Sequence, residues 1–124
     1  MRFTYTETMC DPSYLLPLAQ EAEAAGYDSL WTQEQLVGKS QSLEPIALLS
    51  YVANSTTTAR LGVSILVLPV RDPLTLAKSL ASLDVLSGGR LIAGVGLGGD
   101  WDSGAFGIPP GRRVRRFLDV LQAI

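Results

Sequence analysis

Histidine is absent from this 124-residue chain, and cysteine occurs once. The first absence excludes His-ligated metals, Ser-His-Asp and Cys-His nucleophile systems, and imidazole acid–base catalysis within the chain. The second leaves Cys10 without an internal disulfide partner, which suits a reducing cytoplasm. With no His or Lys nearby in sequence to lower its pKa, Cys10 reads as an inert thiol. Long apolar runs are missing too. The most apolar one, Leu61 to Val70, falls well short of the roughly 20 residues of a spanning helix. Met1 to Glu7 lacks the apolar core of a signal peptide, so a soluble, cytoplasmic protein is expected. Charge is sparse and balanced: 10 Lys and Arg against 12 Asp and Glu give a formal net charge of -2. No basic face of the kind that neutralises phosphates follows from that balance, so nucleic acid is not an expected partner. What the chain does have is 47% hydrophobic residues, enough for the core of one domain spanning residues 1–124.

The hydrophobic period switches repeatedly between two and 3.6. Phe3 to Thr6 alternates and reads as a strand. A helix follows from Asp11-Pro12-Ser13, with Asp11 or Ser13 as its cap and Gly26 as its stop. Asp28 to Thr32 reads as a second strand, Gln33 to Leu43 as a loop, and Glu44-Pro45 as the start of a second helix. The third strand, Leu61 to Leu68, is apolar almost throughout, as strands covered on both faces of a parallel sheet are. A third helix starts at Asp72-Pro73 and breaks at Gly88-Gly89, ahead of a fourth strand, Arg90 to Val95. A glycine-rich loop, Gly96 to Gly111, leads to a last helix from about Arg112 that is still running at Ile124. This βαβαβαβα order means a parallel sheet with crossover helices, either an open doubly wound sheet or part of a (β/α)₈ barrel. A whole barrel takes about 250 residues, so the second case would make this chain a half barrel of about four βα units.

Several blocks resemble one family in order along the chain. Ala24-Ala25-Gly26-Tyr27-Asp28-Ser29-Leu30-Trp31 is similar to the entry to the second strand in bacterial luciferase-like monooxygenases. The resemblance continues through Leu61-Gly62-Val63, Leu68 to Pro73 and Ser82 to Arg90. It ends with Gly94 to Gly98, Phe106-Gly107-Ile108-Pro109 and the helix from Arg112 to Asp119. It implies the N-terminal half of a TIM-type barrel and an oxidoreductase or monooxygenase transferring hydride between a reduced flavin-type cofactor and a small organic substrate. The cofactor would be FMN or coenzyme F-420, and the stretch Leu68 to Pro73 looks like the F-420 branch. A truncated, non-catalytic half barrel acting as an assembly partner is the alternative.

In a parallel barrel, chemistry gathers at the C-terminal ends of the strands. Members of the family commonly carry an acid followed by histidine after the second strand, so the resemblance marks Glu34 and Gln35 as the catalytic positions. Gln35 can hydrogen-bond a flavin edge but cannot exchange a proton near neutral pH. Read without the resemblance, Glu34 is a solvated loop carboxylate. Ser64-Ile65 aligns with a bulge and a non-prolyl cis peptide behind the cofactor ring, so these two residues become cofactor-binding positions. Gly94 to Gly99 satisfies G-x-G-x-x-G, but no helix is expected before Arg112 to aim amides at a pyrophosphate, which counts against a dinucleotide fold. Gly96 and Gly98 read instead as a place where backbone passes close to a flat ring. Asp100 is the nearest acid to the position some F-420 enzymes use after their glycine cluster. Arg112, Arg113, Arg115 and Arg116 form a basic cluster, either a solvated helix face or a phosphate site. No metal site is expected.

The strand order expected from these units is 1-2-3-4. Four strands would leave two edges unpaired, and would leave interior residues such as Val63, Ile65, Val67, Ile92 or Val95 uncovered. A homodimer, or pairing with a separate second-half chain, is therefore expected.

Overall fold

The structure is a computed structural model that describes residues 11–37 and 42–124. The expected first strand and Cys10 lie outside those residues. Helix α1 (Pro12–Ala24) is capped by Asp11, whose carboxylate accepts from the Ser13 backbone N–H at 2.9 Å. Strand β1 (Ser29–Thr32) follows, then helix α2 (Pro45–Ala53), strand β2 (Arg60–Val67) and a single 3₁₀ turn at Leu68–Val70. Helix α3 (Pro73–Ser87) is capped by Asp72 and stopped by Gly88 at φ +69, with the Gly89 amide closing back on the Asp84 carbonyl. That left-handed cap costs least at glycine. Strand β3 (Leu91–Gly96) precedes helix α4 (Asp100–Ala105), a 3₁₀ turn at Pro110–Arg112 and helix α5 (Arg113–Leu121).

The three strands pair in parallel in the order β1-β2-β3, so neighbours in sequence are neighbours in space. Such an order is that of a barrel wall, and no reversal of the doubly wound kind occurs among the described strands. Register explains the core. Leu30, Leu61 and Leu91 stand in one row across the sheet, and Thr32, Val63 and Ala93 in the next. Because side chains alternate, both rows point to the face covered by helices. There Leu30, Leu61 and Val63 join Leu15 and Ala19 of α1, Leu49 and Val52 of α2, Leu76 and Leu83 of α3 and Val120 of α5 in one cluster, with Leu91 packed against it, while Ala93 at the sheet edge is exposed.

Three expectations are corrected here. Val63 is 1% exposed and sits in the helix-facing core, and Val95 packs against that same core, so neither is an uncovered interior residue. A strand apolar on both faces does not reveal which parity meets the helices, and the register slips between Val63 and Leu66. The stretch from Gly96 to Gly111 is likewise not all loop. Gly99 adopts an extended conformation, Asp102 accepts its backbone N–H at 3.0 Å, and α4 starts with two acids in its first turn. Both acids oppose the positive end of the helix. The final helix ends at Leu121, ahead of Ile124.

Candidate functional site

The C-terminal ends of the three strands form a mouth. The chain leaving β1 places Glu34 inward, with its side chain only 1% exposed. One of its oxygens accepts the Val67 backbone N–H at 2.6 Å, and the other pairs with Arg71 Nη2. Far from being solvated, Glu34 is a buried clamp between the loop after β1 and the end of β2. The same Arg71 nitrogen donates to Glu44 Oε1 at 2.8 Å, while Glu44 Oε2 caps α2 by accepting from the Ala47 N–H at 2.8 Å. Burial pulls the Arg71 guanidinium below its usual pKa, and the two carboxylates compensate the charge it keeps. Its Nε is buried with no acceptor among the described residues.

Gln35, the next residue along, is exposed, and its carbonyl accepts from Ser42 Oγ at 3.0 Å. Ser64 and Ile65 are half-buried, joined by a cis peptide bond, and lie inside the register slip of β2. Ile65 lies across Gly96, where a β-carbon would collide with its Cδ1. At Gly98, φ +65, a β-carbon would meet the Val67 side chain. These glycines therefore let side chains of β2 cross the end of β3, which is a closer demand than the approach of a ligand. Asp100 is turned elsewhere, its exposed carboxylate paired with Arg113 of α5.

The structure thus brings Ser64, Ile65 and Gly96 together, and links Glu34 and Gly98 through Val67. It leaves Asp100 apart from them. The basic cluster is dispersed among several partners. Arg113 pairs with Asp100, Arg115 with Asp119 at 2.9 Å, and Arg116 Nε donates to the Pro69 carbonyl at 2.6 Å. Arg71 carried no expectation of its own, and Glu44 was expected only as a helix start. A charged residue straight after an apolar strand, with two acids near other strand and helix ends, was the available signal.

A family model described as luciferase-like monooxygenase matches residues 2–124. The chain belongs to the luciferase-like monooxygenase family. Among its relatives is an uncharacterized protein of Mycobacterium tuberculosis, 30% identical over 146 residues, covering 100% of this chain and 50% of that one. The monooxygenase RslO1 of Streptomyces bottropensis superposes with a TM-score of 0.81 at 31% identity, over 87% of this chain and 34% of its own. The coenzyme F-420-dependent tetrahydromethanopterin reductase of Methanopyrus kandleri does so with a TM-score of 0.66 at 30% identity, over 81% and 28%. The three-stranded parallel sheet and its helices are accordingly part of a TIM-type barrel. The chain spans about half the length of the mycobacterial relative. Among the described residues, no helix is long and apolar enough to cross a membrane.

Proposed function

We propose that this luciferase-like chain supplies one wall of a flavin or deazaflavin site, for hydride transfer between FMN or coenzyme F-420 and a small organic substrate. The observation that carries the reading is the patch at the mouth, in a chain of this family. Half-buried Ile65 lies over Gly96 as an apolar patch, with Ser64 next to it in the chain across a cis peptide bond and Gln35 exposed on the loop after β1. An apolar face with hydrogen-bonding groups beside it fits a planar heteroaromatic ring. When bound, the cofactor supplies the hydride chemistry, and the protein supplies orientation and electrostatics. Ser64, Ile65, Gly96 and Gly98 would back the ring, and Gln35 would meet its polar edge without moving a proton. Glu34 has both oxygens engaged, so its part in catalysis is to hold the loop that carries Gln35. Of the two cofactors, the Leu68 to Pro73 stretch favours F-420. Titration of FMN and F-420 followed by absorbance and fluorescence tests this. Saturable spectral change with one of them supports the site, and no binding of either at tens of micromolar overturns it.

A second reading, assembly with a second copy of the chain, is favoured by the free side of β3. That strand pairs only with β2 among the described residues, and a groove of about 430 Å³ beside it is lined by Leu80, Leu91, Ala93, Val95 and Leu121. Apolar surface next to unpaired strand backbone is what an interface covers. Light scattering decides it, with a dimer expected and a monodisperse monomer excluding it.

A further inference from the structure

The Arg71 guanidinium gathers two carboxylates, and each carboxylate uses its second oxygen on a backbone amide of a different element. Glu34 reaches Val67 at the end of β2, and Glu44 reaches Ala47 in the first turn of α2. Arg71 itself directly precedes the cap of α3. One cation therefore ties together the loop after β1, the end of β2, the start of α2 and the start of α3. Val67 is the register partner of Gly96 and packs on Gly98, so the tie reaches the glycine that Ile65 lies across. We propose that Arg71 is a positioning residue for the mouth, holding Glu34 so that the Gln35 loop and the Ile65–Gly96 patch keep one arrangement. The inference rests on the cofactor reading for its consequence, though not for its geometry.

The physical reason is the asymmetry of a buried pair. Without Arg71, Glu34 would be a buried carboxylate with no counter-charge, and the loop would swing it outward to water. The Val67 amide would then lose its acceptor. Neutralising both members removes that drive, because a glutamine carbonyl at position 34 can still accept from Val67.

Amide hydrogen exchange on the full chain reads this directly. Arg71→Gln should speed exchange at Val67 by about 10-fold or more, as expected when a clamped segment opens locally. The amides of Thr58 and Ala59, held by Glu23 at the far end of the sheet, should not change. The double variant Glu34→Gln/Arg71→Gln should restore Val67 protection. Unchanged exchange at Val67 in Arg71→Gln would overturn the proposal, as would equal loss at Thr58 and Ala59 or no rescue in the double variant. In FMN and F-420 titrations the single variant should weaken binding by about 10-fold or more, the scale of a displaced positioning group. If the unaltered chain binds neither, the cofactor reading fails while exchange at Val67 still decides the role of Arg71.

Discussion

The two ends of the sheet handle charge in opposite ways. At the end where strands begin, Glu23 accepts the backbone amides of Thr57, Thr58 and Ala59 at 3.0, 2.7 and 2.7 Å, and both threonine hydroxyls as well. Arg90 directs its guanidinium at the Ser87, Ala59, Ala53 and Thr56 carbonyls and the Thr56 hydroxyl, at 2.6 to 3.0 Å. Glu23 and Arg90 thus face uncharged backbone that would otherwise be an unpaired helix end or loop, and the Arg60–Asp28 pair beside them is long, at 3.8 Å, and exposed. At the mouth, Arg71 faces two carboxylates, and the buried Arg71 Nε and Ser103 Oγ have no hydrogen-bond partner among the described residues. Trp101 is 73% exposed and Phe106 51% exposed beside them. At one end Glu23 and Arg90 tie helix ends and loops to the start of β2. The other keeps polar atoms and apolar surface available, as the functional face of a βα barrel does.

Substitution should separate the two ends, with the largest effect at Arg90. Arg90→Ala leaves carbonyls from three segments without donors, and a loss of about 3 kcal/mol or more in chemical denaturation is expected. Arg90→Lys should recover less than half of it, because a point charge with three donors cannot reproduce the fork. A loss under about 1 kcal/mol would show that this end is not what holds the fold.

Glu23 gives the same end a pH dependence. Its carboxylate is lowered from 4.5 to about 2, chiefly by the Ala59 and Thr58 amides and further by Thr57. A depressed carboxylate stabilises the folded state above its unfolded pKa, and that contribution is lost as pH falls from about 4.5 through about 2. Solvent contact screens it, so the effect should be smaller than that of Arg90. Glu23→Gln should flatten the acid limb of a stability-against-pH curve. An unchanged limb would assign acid sensitivity to other carboxylates.

At the mouth, Gly96→Ala should cost only about 1 kcal/mol, because the flexible end of Ile65 can give way. Cofactor affinity should nevertheless fall, since the apolar patch is what moves. Equal cofactor affinity in Gly96→Ala would remove that patch from the site. Gln35→His should raise any hydride-transfer activity by about 10-fold or more, by supplying the titratable group that glutamine lacks. No change would take position 35 out of the chemistry. The smallest effect is expected at Asp100→Asn, whose pair with Arg113 is open to water: about 0.5 kcal/mol or less in thermal unfolding.

Much of this architecture was legible as pattern. The switch of period, the Asp-Pro and Glu-Pro helix starts and Gly88-Gly89 mark α1 to α3 and the three strands within a residue or so. Local signals suffice there, because caps and breakers act over one turn. Helix α4 was missed although Gly99, Asp100 and Asp102 carry an N-terminal pattern, since glycine content argued for loop. At the site, family blocks marked Glu34, Ser64 and Gly96, but nothing local said that Glu34 is buried. That depends on Val67 and Arg71, residues more than thirty positions further on.

Order of elements and parallel pairing were therefore determined by the sequence itself, since periodicity and turn chemistry are properties of neighbouring residues. Tertiary structure alone decided which parity of β2 faces the helices, where Arg113 and Arg116 find partners, and that Arg71 joins two distant carboxylates. Each of those outcomes depends on which segments a fold brings within reach. A charge removed from water takes whatever partner the packing places beside it.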